Sequence, residues 1–178
     1  IKFEVMRIQL REAGLEDRQE IVRLFRETIR TVNIADYSVE EAEDWAACGE
    51  KVGYWEELIG KLYFIVAEVV DGKTLPALSV ERNEKGPIIG FASISDDGYL
   101  HAVFVHKDYQ RCGVGTALLQ TLERYAAGRN ILKIVSEVSI TARPFFEHEG
   151  FRVVKEQRRK AMRLELKNFV MEKAKRDD

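Results

Sequence analysis

Cysteine and proline are scarce in this 178-residue chain, which has only Cys48 and Cys112 and three prolines. Two thiols are too few for a disulfide scaffold or a cysteine-based zinc site, so they fit a reduced, cytoplasmic setting. With so little proline and no low-complexity or repeating tract, nothing marks a linker or a solenoid, and residues 1–178 read as one domain. Met6 reads as the natural start, with Ile1 to Val5 a leftover of expression. The stretch Ile1 to Leu10 lacks a signal-peptide hydrophobic segment, and no run approaches the roughly 18–20 apolar residues of a membrane helix. An excess of one charge is also missing. The 28 Lys and Arg against 30 Asp and Glu leave a formal charge of −2, which argues against nucleic acid or an anionic membrane as partner. Hydrophobic residues, by contrast, make up 46% of the chain and charged residues 33%, a mixture suited to a soluble globular protein with a core of its own.

The spacing predicts a strand at Arg7 to Glu12. A helix follows, capped by Asp17, with Ile21, Phe25, Ile29 and Val32 on one face. Ser38 and Glu41 stand at capping-box spacing and open a second helix to about Ala47. Leu62 to Val70 and Ile88 to Ile94 read as paired antiparallel strands. Their connection of about 17 residues is long against the usual 2 to 5, so Thr74 to Val80 is expected to extend a strand or fold back as a flap. After the turn Asp96-Asp97-Gly98 comes a strand at Tyr99 to Val105, then a helix from Val114 to a stop at Gly128, and a strand at Leu132 to Val138. Thr141 is expected to cap a short helix with Pro144 in its first turn. Two final strands, Phe151 to Gln157 and Ala161 to Glu172, flank a basic turn at Arg158-Arg159-Lys160, and their alternation could serve pairing across a homodimer. This order describes an α+β sheet with helices on its faces.

The stretch from Val103 to Leu119 carries the most chemistry. A strand enters a turn with glycines at 113 and 115, and a long amphipathic helix begins at once. Such a helix start offers unpaired N–H groups and the positive end of the macrodipole, which suits a phosphate or pyrophosphate, and glycine lets a bulky anion come close. The bland reading of Gly-x-Gly is close packing of helix on strand. A Walker loop would need a Lys after these glycines, and a Rossmann fingerprint would need Gly or Ala where Leu118 stands.

Gln110-x-x-Gly113-x-Gly115 resembles the acetyl-CoA signature of GNAT N-acetyltransferases, and Ala142 to Phe151 is similar to that family's Ala-x-x-x-Tyr-x-x-x-Gly-Phe segment. Element order agrees from Arg7 to the C-terminus. The resemblance implies the GNAT acyltransferase fold, a single mixed, mostly antiparallel sheet flanked by helices, and acetyl transfer from acetyl-CoA to a primary amine of a small molecule or peptide without a metal. It places the pyrophosphate on the N–H groups of Arg111, Cys112, Gly113, Val114, Gly115 and Thr116, with Gln110 in the signature. The pantetheine arm would lie along Val103, Phe104 and Val105, a main-chain N–H at Phe104 or Val105 would polarise the thioester, and the cleft would open where strand 99–105 splays from strand 132–138. Tyr99 occupies a position where some relatives carry a basic Glu. Strand alternation groups Tyr99 and His101 with Val103 and Val105, and His101 is the preferred general base; the bland reading has it shaping the acceptor pocket. Phe146 stands where the family often has an acidic Tyr, so it can only pack against the cofactor. Ser139, seven residues earlier, could hold a water near the sulfur.

Other readings stay open. The missing hydroxyl at Phe146 also fits an acyl-CoA-binding or sensing module without turnover, and a third possibility is an interaction domain that has lost the cofactor. Trp45, Tyr54 and Trp55 either wall the acceptor site or simply pack. Asp36 and Tyr37 are exposed-loop candidates for acceptor recognition. Residues 31–57 hold eight acids against Lys51 alone, which would favour a cationic amine unless they form a solvated face, while residues 152–178 hold ten basic residues against five acids.

Overall fold

A computed structural model describes residues 7–70 and 86–175. The expected flap at Thr74 to Val80 and the segment Ile1 to Val5 lie outside the described residues. Among the described residues, seven strands form one mixed sheet: β1 (Arg7–Glu12), β2 (Tyr63–Val70), β3 (Ile88–Ile94), β4 (Tyr99–Val105), β5 (Lys133–Ser139), β6 (Arg152–Lys160) and β7 (Glu165–Ala174). Their order is β1-β2-β3-β4-β5-β7-β6. All neighbours are antiparallel except β4 and β5, which run parallel and pair only at Tyr99 with Val135 and Leu100 with Ser136.

Helices cover both faces. On one, α4 (Val114–Gly128) and α5 (Arg143–His148) bury Leu118, Leu119, Leu122 and Phe146 against Ile89, Leu100, Phe169 and Met171. On the other, α1 (Arg18–Thr31), α2 (Val39–Ala46) and α3 (Tyr54–Lys61) bury Ile21, Phe25, Ile29 and Trp55 against Phe64, Val66 and Phe91. Each fully buried Leu or Ile contributes about 1.5–3 kcal/mol relative to its exposed state. The α1 periodicity thus predicts its core face correctly. The capping box also forms as expected: Ser38 Oγ accepts from Glu41 N at 3.1 Å, and Glu41 Oε1 accepts from Ser38 N at 3.0 Å.

Several local expectations are overturned, each by a tertiary partner. Asp17 does not cap α1 through its side chain; its carboxylate accepts two bonds from Arg11, at 2.7 and 2.8 Å, and one from Gly14 N. Thr141 does not cap α5, because its hydroxyl donates to Asn33 O while Ser139 Oγ accepts Ala142 N at 3.1 Å. Arg158, Arg159 and Lys160 belong to edge strand β6, where charged side chains are readily tolerated. The turn lies later, closed by Ala161 N donating to Leu164 O at 2.9 Å. Asp44 explains its position: buried on α2, its Oδ2 accepts the N–H groups of Met162, Arg163 and Leu164 at 2.9–3.0 Å. Those three bonds hold the Asp44 carboxyl below its ordinary pKa range, with Leu164 N the largest cause.

Candidate active site

The two rows of backbone that end their pairing at Leu100 and Ser136 then diverge, and the cleft between them is the expected splay. On β4, His106 N donates to Ile89 O at 2.7 Å, which makes 106 a ladder residue toward β3. Alternation in an antiparallel pair then directs Phe104 toward Phe91 and leaves the N–H and C=O groups of Val103 and Val105 facing the cleft. Of the two expected oxyanion donors, Val105 has the required direction and Phe104 does not. A bulge intervenes as well: Ser93 pairs with Ala102 but Ile94 with Leu100, so His101 is the extra residue. The bulge breaks the expected alternation. Val103 and Val105 pack with Leu100 on the α4 side, whereas the Tyr99 and His101 rings meet each other edge-on, 4.6 Å apart, with Tyr99 on the α1–α3 face.

Burial lowers the His101 pKa, opposed by Asp97 and Glu137, so the imidazole is largely neutral near pH 7. Burial first, and then Glu137, push the Tyr99 hydroxyl up to about 12, which keeps it protonated. Ser139 Oγ accepts from Asn33 Nδ2 at 3.3 Å and from Ala142 N, leaving its own hydrogen free to donate.

Beyond β4 the loop curls around its own N–H groups. Gln110 Nε2 donates to Val105 O at 2.6 Å. Arg111 and Gly113 both take positive φ, 58° and 84°, and such turns make successive N–H groups converge into an anion-binding concavity. The first bond of α4 joins Ala117 N to Gly113 O, so the N–H groups of Val114, Gly115 and Thr116 precede any intrahelical acceptor. A Cβ on Gly113 would meet nothing within 4 Å, so the concavity is open. A Cβ on Gly115 would come within 3.1 Å of Phe145. The Thr116 hydroxyl donates to Glu149 at 2.7 Å, so only its N–H remains for a ligand. Cys112 is exposed, with Sγ donating to Gln110 O. Residues 103–105 and 110–116 therefore fit a pantetheine arm and pyrophosphate through their main chain. Phe146 fits less well: it is 3% exposed and packs edge-on against Phe145 and Phe151, so the half-buried Phe145 ring lies nearer the loop.

A family model described as "Acetyltransferase (GNAT) domain" matches residues 35–173. The chain belongs to the GNAT acetyltransferase family. It is an acyltransferase of the N-acetyltransferase type. A relative named "Uncharacterized N-acetyltransferase YafP", from Escherichia coli K12, is 29% identical over 164 residues, 92% of this chain and 94% of that one. The fold also matches a GCN5-related N-acetyltransferase of Rhodopseudomonas palustris, with TM-score 0.81 and 25% identity over 97% of this chain and 99% of that one. PaiA N-acetyltransferase of Thermoplasma acidophilum, solved in complex with coenzyme A, shares the fold at TM-score 0.70 and 20% identity, over 96% of this chain and 100% of that one.

Within this GNAT frame, several acceptor-side expectations change. Tyr37 is buried, not exposed; its hydroxyl donates to Lys167 O at 2.6 Å and accepts Ile140 N at 3.0 Å. Trp55 is core, edge-on to Phe25 and Phe91, while Trp45 bridges Tyr37 and Phe104. The acidic segment is largely spent on partners: Glu43, Glu50 and Glu56 pair with Arg30, Arg26 and Arg18 of α1, Glu57 with Lys61, and Asp44 with Arg163. Sequence proximity concentrated these acids; apart from Lys61, one turn from Glu57 on α3, the fold supplied their cations from α1 and the β6–β7 turn. Asn33 and Glu137 beside the cleft were not singled out by the sequence, and Arg159, expected in a basic turn, bonds Glu137 from β6. Among the described residues, no group of His, Cys, Asp and Glu is arranged to hold a metal, and no helix is long and apolar enough to cross a membrane.

Proposed function

We propose that this GNAT enzyme transfers the acetyl group of acetyl-CoA directly to a primary amine of a small molecule or peptide, within a ternary complex and without an acyl-enzyme. The observation that carries this reading is the β4–β5 splay. It leaves the N–H groups of Val103 and Val105 directed into a cleft whose far end is the open N–H concavity of residues 111–116. The neighbour solved with coenzyme A, PaiA N-acetyltransferase, supports a CoA thioester as donor.

In this reading the backbone of Arg111 to Thr116 binds the pyrophosphate, and Val103 and Val105 pair with the pantetheine arm as an added strand would. The Val105 N–H donates to the carbonyl oxygen as negative charge develops there. The amine nitrogen attacks the carbonyl carbon, the carbon–sulfur bond breaks, and the nitrogen's proton passes to His101, directly or through water. A lysine-like amine has a pKa near 10.4 and first gives its ammonium proton to solvent; once bonded to the carbonyl carbon its nitrogen is far more acidic, and the neutral His101 imidazole can take the second proton. The thiolate, whose conjugate acid has a pKa near 8.5, leaves and takes a proton from water ordered by the Ser139 hydroxyl.

Steady release of CoA thiol with a panel of primary amines tests the proposal. Acceptor-dependent turnover that Gly115→Glu abolishes is the expected result. Tight acetyl-CoA binding without turnover across the panel would instead support a sensing module.

A further inference from the structure

The proposed mechanism leaves one charged pair on the cleft unused. Since Tyr99 pairs in parallel with Val135, the next residues along bring His101 level with Glu137 and Val103 level with Ser139, across the widening gap. Glu137 and Ser139 point to the α1–α3 face, where Asn33 bonds Ser139. On the same face of β7, Val170 stands beside Glu137 and Asn168 beside Ser139. On β6, Gln157 stands beside Asn168, and Arg159 beside Leu166. Arg159 therefore reaches diagonally across Asn168 to Glu137, and its Nε and Nη2 donate to Glu137 Oε1 at 2.9 and 2.6 Å. The side chains are 62% and 23% exposed respectively. Asn168 Oδ1, between the two charges, and Gln157 Nε2, beside it on β6, are buried without a hydrogen-bond partner among the described residues. Buried amide atoms are ordinarily paired.

We propose that Glu137 and Arg159 are the acceptor-recognition pair, and that the acceptor is a zwitterion of the amino-acid class, its ammonium taken by Glu137 and its carboxylate by Arg159. The proposal rests on the reading of this cleft as the site of acetyl transfer. An ion pair as exposed as this one is weak, so opening it costs little. What enters must then satisfy both partners. A simple cation leaves Arg159 without a counter-ion, and a simple anion does the same to Glu137; a zwitterion completes both and keeps the cleft neutral. Opening the pair also uncovers an amide oxygen that can accept from the ammonium and an amide N–H that can donate to the carboxylate. The amine is held facing His101; its ammonium proton goes to solvent, and His101 takes the second proton as the nitrogen attacks.

The test compares kcat/KM for an amino acid, its carboxamide and its decarboxylated amine, with acetyl-CoA affinity followed by calorimetry. The wild type is expected to favour the amino acid by about tenfold or more, the scale of one lost charge-assisted contact. Arg159→Gln should remove that preference, lowering kcat/KM for the amino acid while moving the carboxamide by less than about threefold. Arg159→Lys should retain most of it. Glu137→Gln should raise KM for all three acceptors, and acetyl-CoA affinity should stay within about twofold in every variant. The inference is overturned if the wild type shows no carboxylate preference, if Arg159→Gln depresses the amino acid and the carboxamide equally, or if bound acetyl-CoA turns over with no carboxylate-bearing amine. Absence of acetyl-CoA binding by the wild type removes the proposed function itself, and this inference with it.

Discussion

On the β4 rim of the cleft, the groups proposed to meet the donor are main-chain N–H groups: Val103, Val105 and the loop from Arg111 to Thr116. On the β5–β7–β6 rim, the groups proposed to meet the acceptor are side chains, Ser139 and Glu137 of β5 and Arg159 of β6, the last standing 20 and 22 residues further along the chain. A main-chain site tolerates change in side-chain identity and is sensitive to Cβ atoms and φ. A side-chain site is the reverse: its backbone is ordinary sheet, and its specificity can change with a single residue. One enzyme can thus keep a fixed donor while its acceptor preference drifts.

The largest expected effect falls on the main-chain rim. Gly115→Glu places a carboxylate at the start of α4 and a Cβ within 3.1 Å of Phe145. Acetyl-CoA affinity should fall by more than about a hundredfold by calorimetry, since a like charge meets the pyrophosphate where the N–H groups converge. Retained affinity would mean that the donor does not lie on this loop. His101→Gln comes next, with a fall in kcat of about a hundredfold, the scale of one lost general base. Its signature is in the pH profile. The His101 pKa lies below 6.5, so wild-type kcat/KM should fall as pH drops through that value, and the variant should lose this acid limb. An unchanged profile removes His101 from proton transfer.

Tyr37→Phe sharpens the comparison from the side-chain rim. Its hydroxyl ties Ile140 N at the end of β5 to Lys167 O of β7, so its loss leaves two partly buried main-chain groups unpaired. Urea unfolding should show a loss of about 1–2 kcal/mol, roughly tenfold in the unfolding equilibrium. A value near zero would show that the rim does not depend on this tie. Asp44→Asn should likewise loosen the β6–β7 turn and lower Tm. The sign with pH follows from the depressed carboxyl: its stabilisation is full above the unfolded pKa near 4 and disappears as pH falls through the lower folded value. Thermal melts of wild type and variant should therefore converge on acidification. Ser139→Ala is the mildest change, an expected fall in kcat of a few-fold, because in the reaction its hydroxyl only orders a water, and water can also take over the bonds it accepts from Asn33 and Ala142 N. A drop beyond about a hundredfold would make Ser139 itself the proton donor.

Much of the frame is legible in the residues alone. β3, β4 and the start of α4 fall where alternation, the Asp96-Asp97-Gly98 turn and the Gly113-x-Gly115 spacing put them, because period, turn and helix start are local properties. The donor loop is legible for the same reason. The bulge at His101 is not, since it arises from a register mismatch with β3, and it reverses the expected company of Tyr99 and His101. Nor is the fate of the acidic segment, whose cations arrive from α1 and from Arg163, or the place of Arg159, which local charge puts in a turn and Asp44 moves into a strand.

The sequence by itself determined the order of the strands along the chain, the family, and a main-chain cradle for an anion, all of which depend on neighbours a few residues apart. Only the tertiary structure decided which N–H groups face the cleft, that Phe146 belongs to the core, and that Glu137 meets Arg159 across β7. Those outcomes depend on register between strands far apart in the chain, where a shift of one residue turns every side chain to the opposite face.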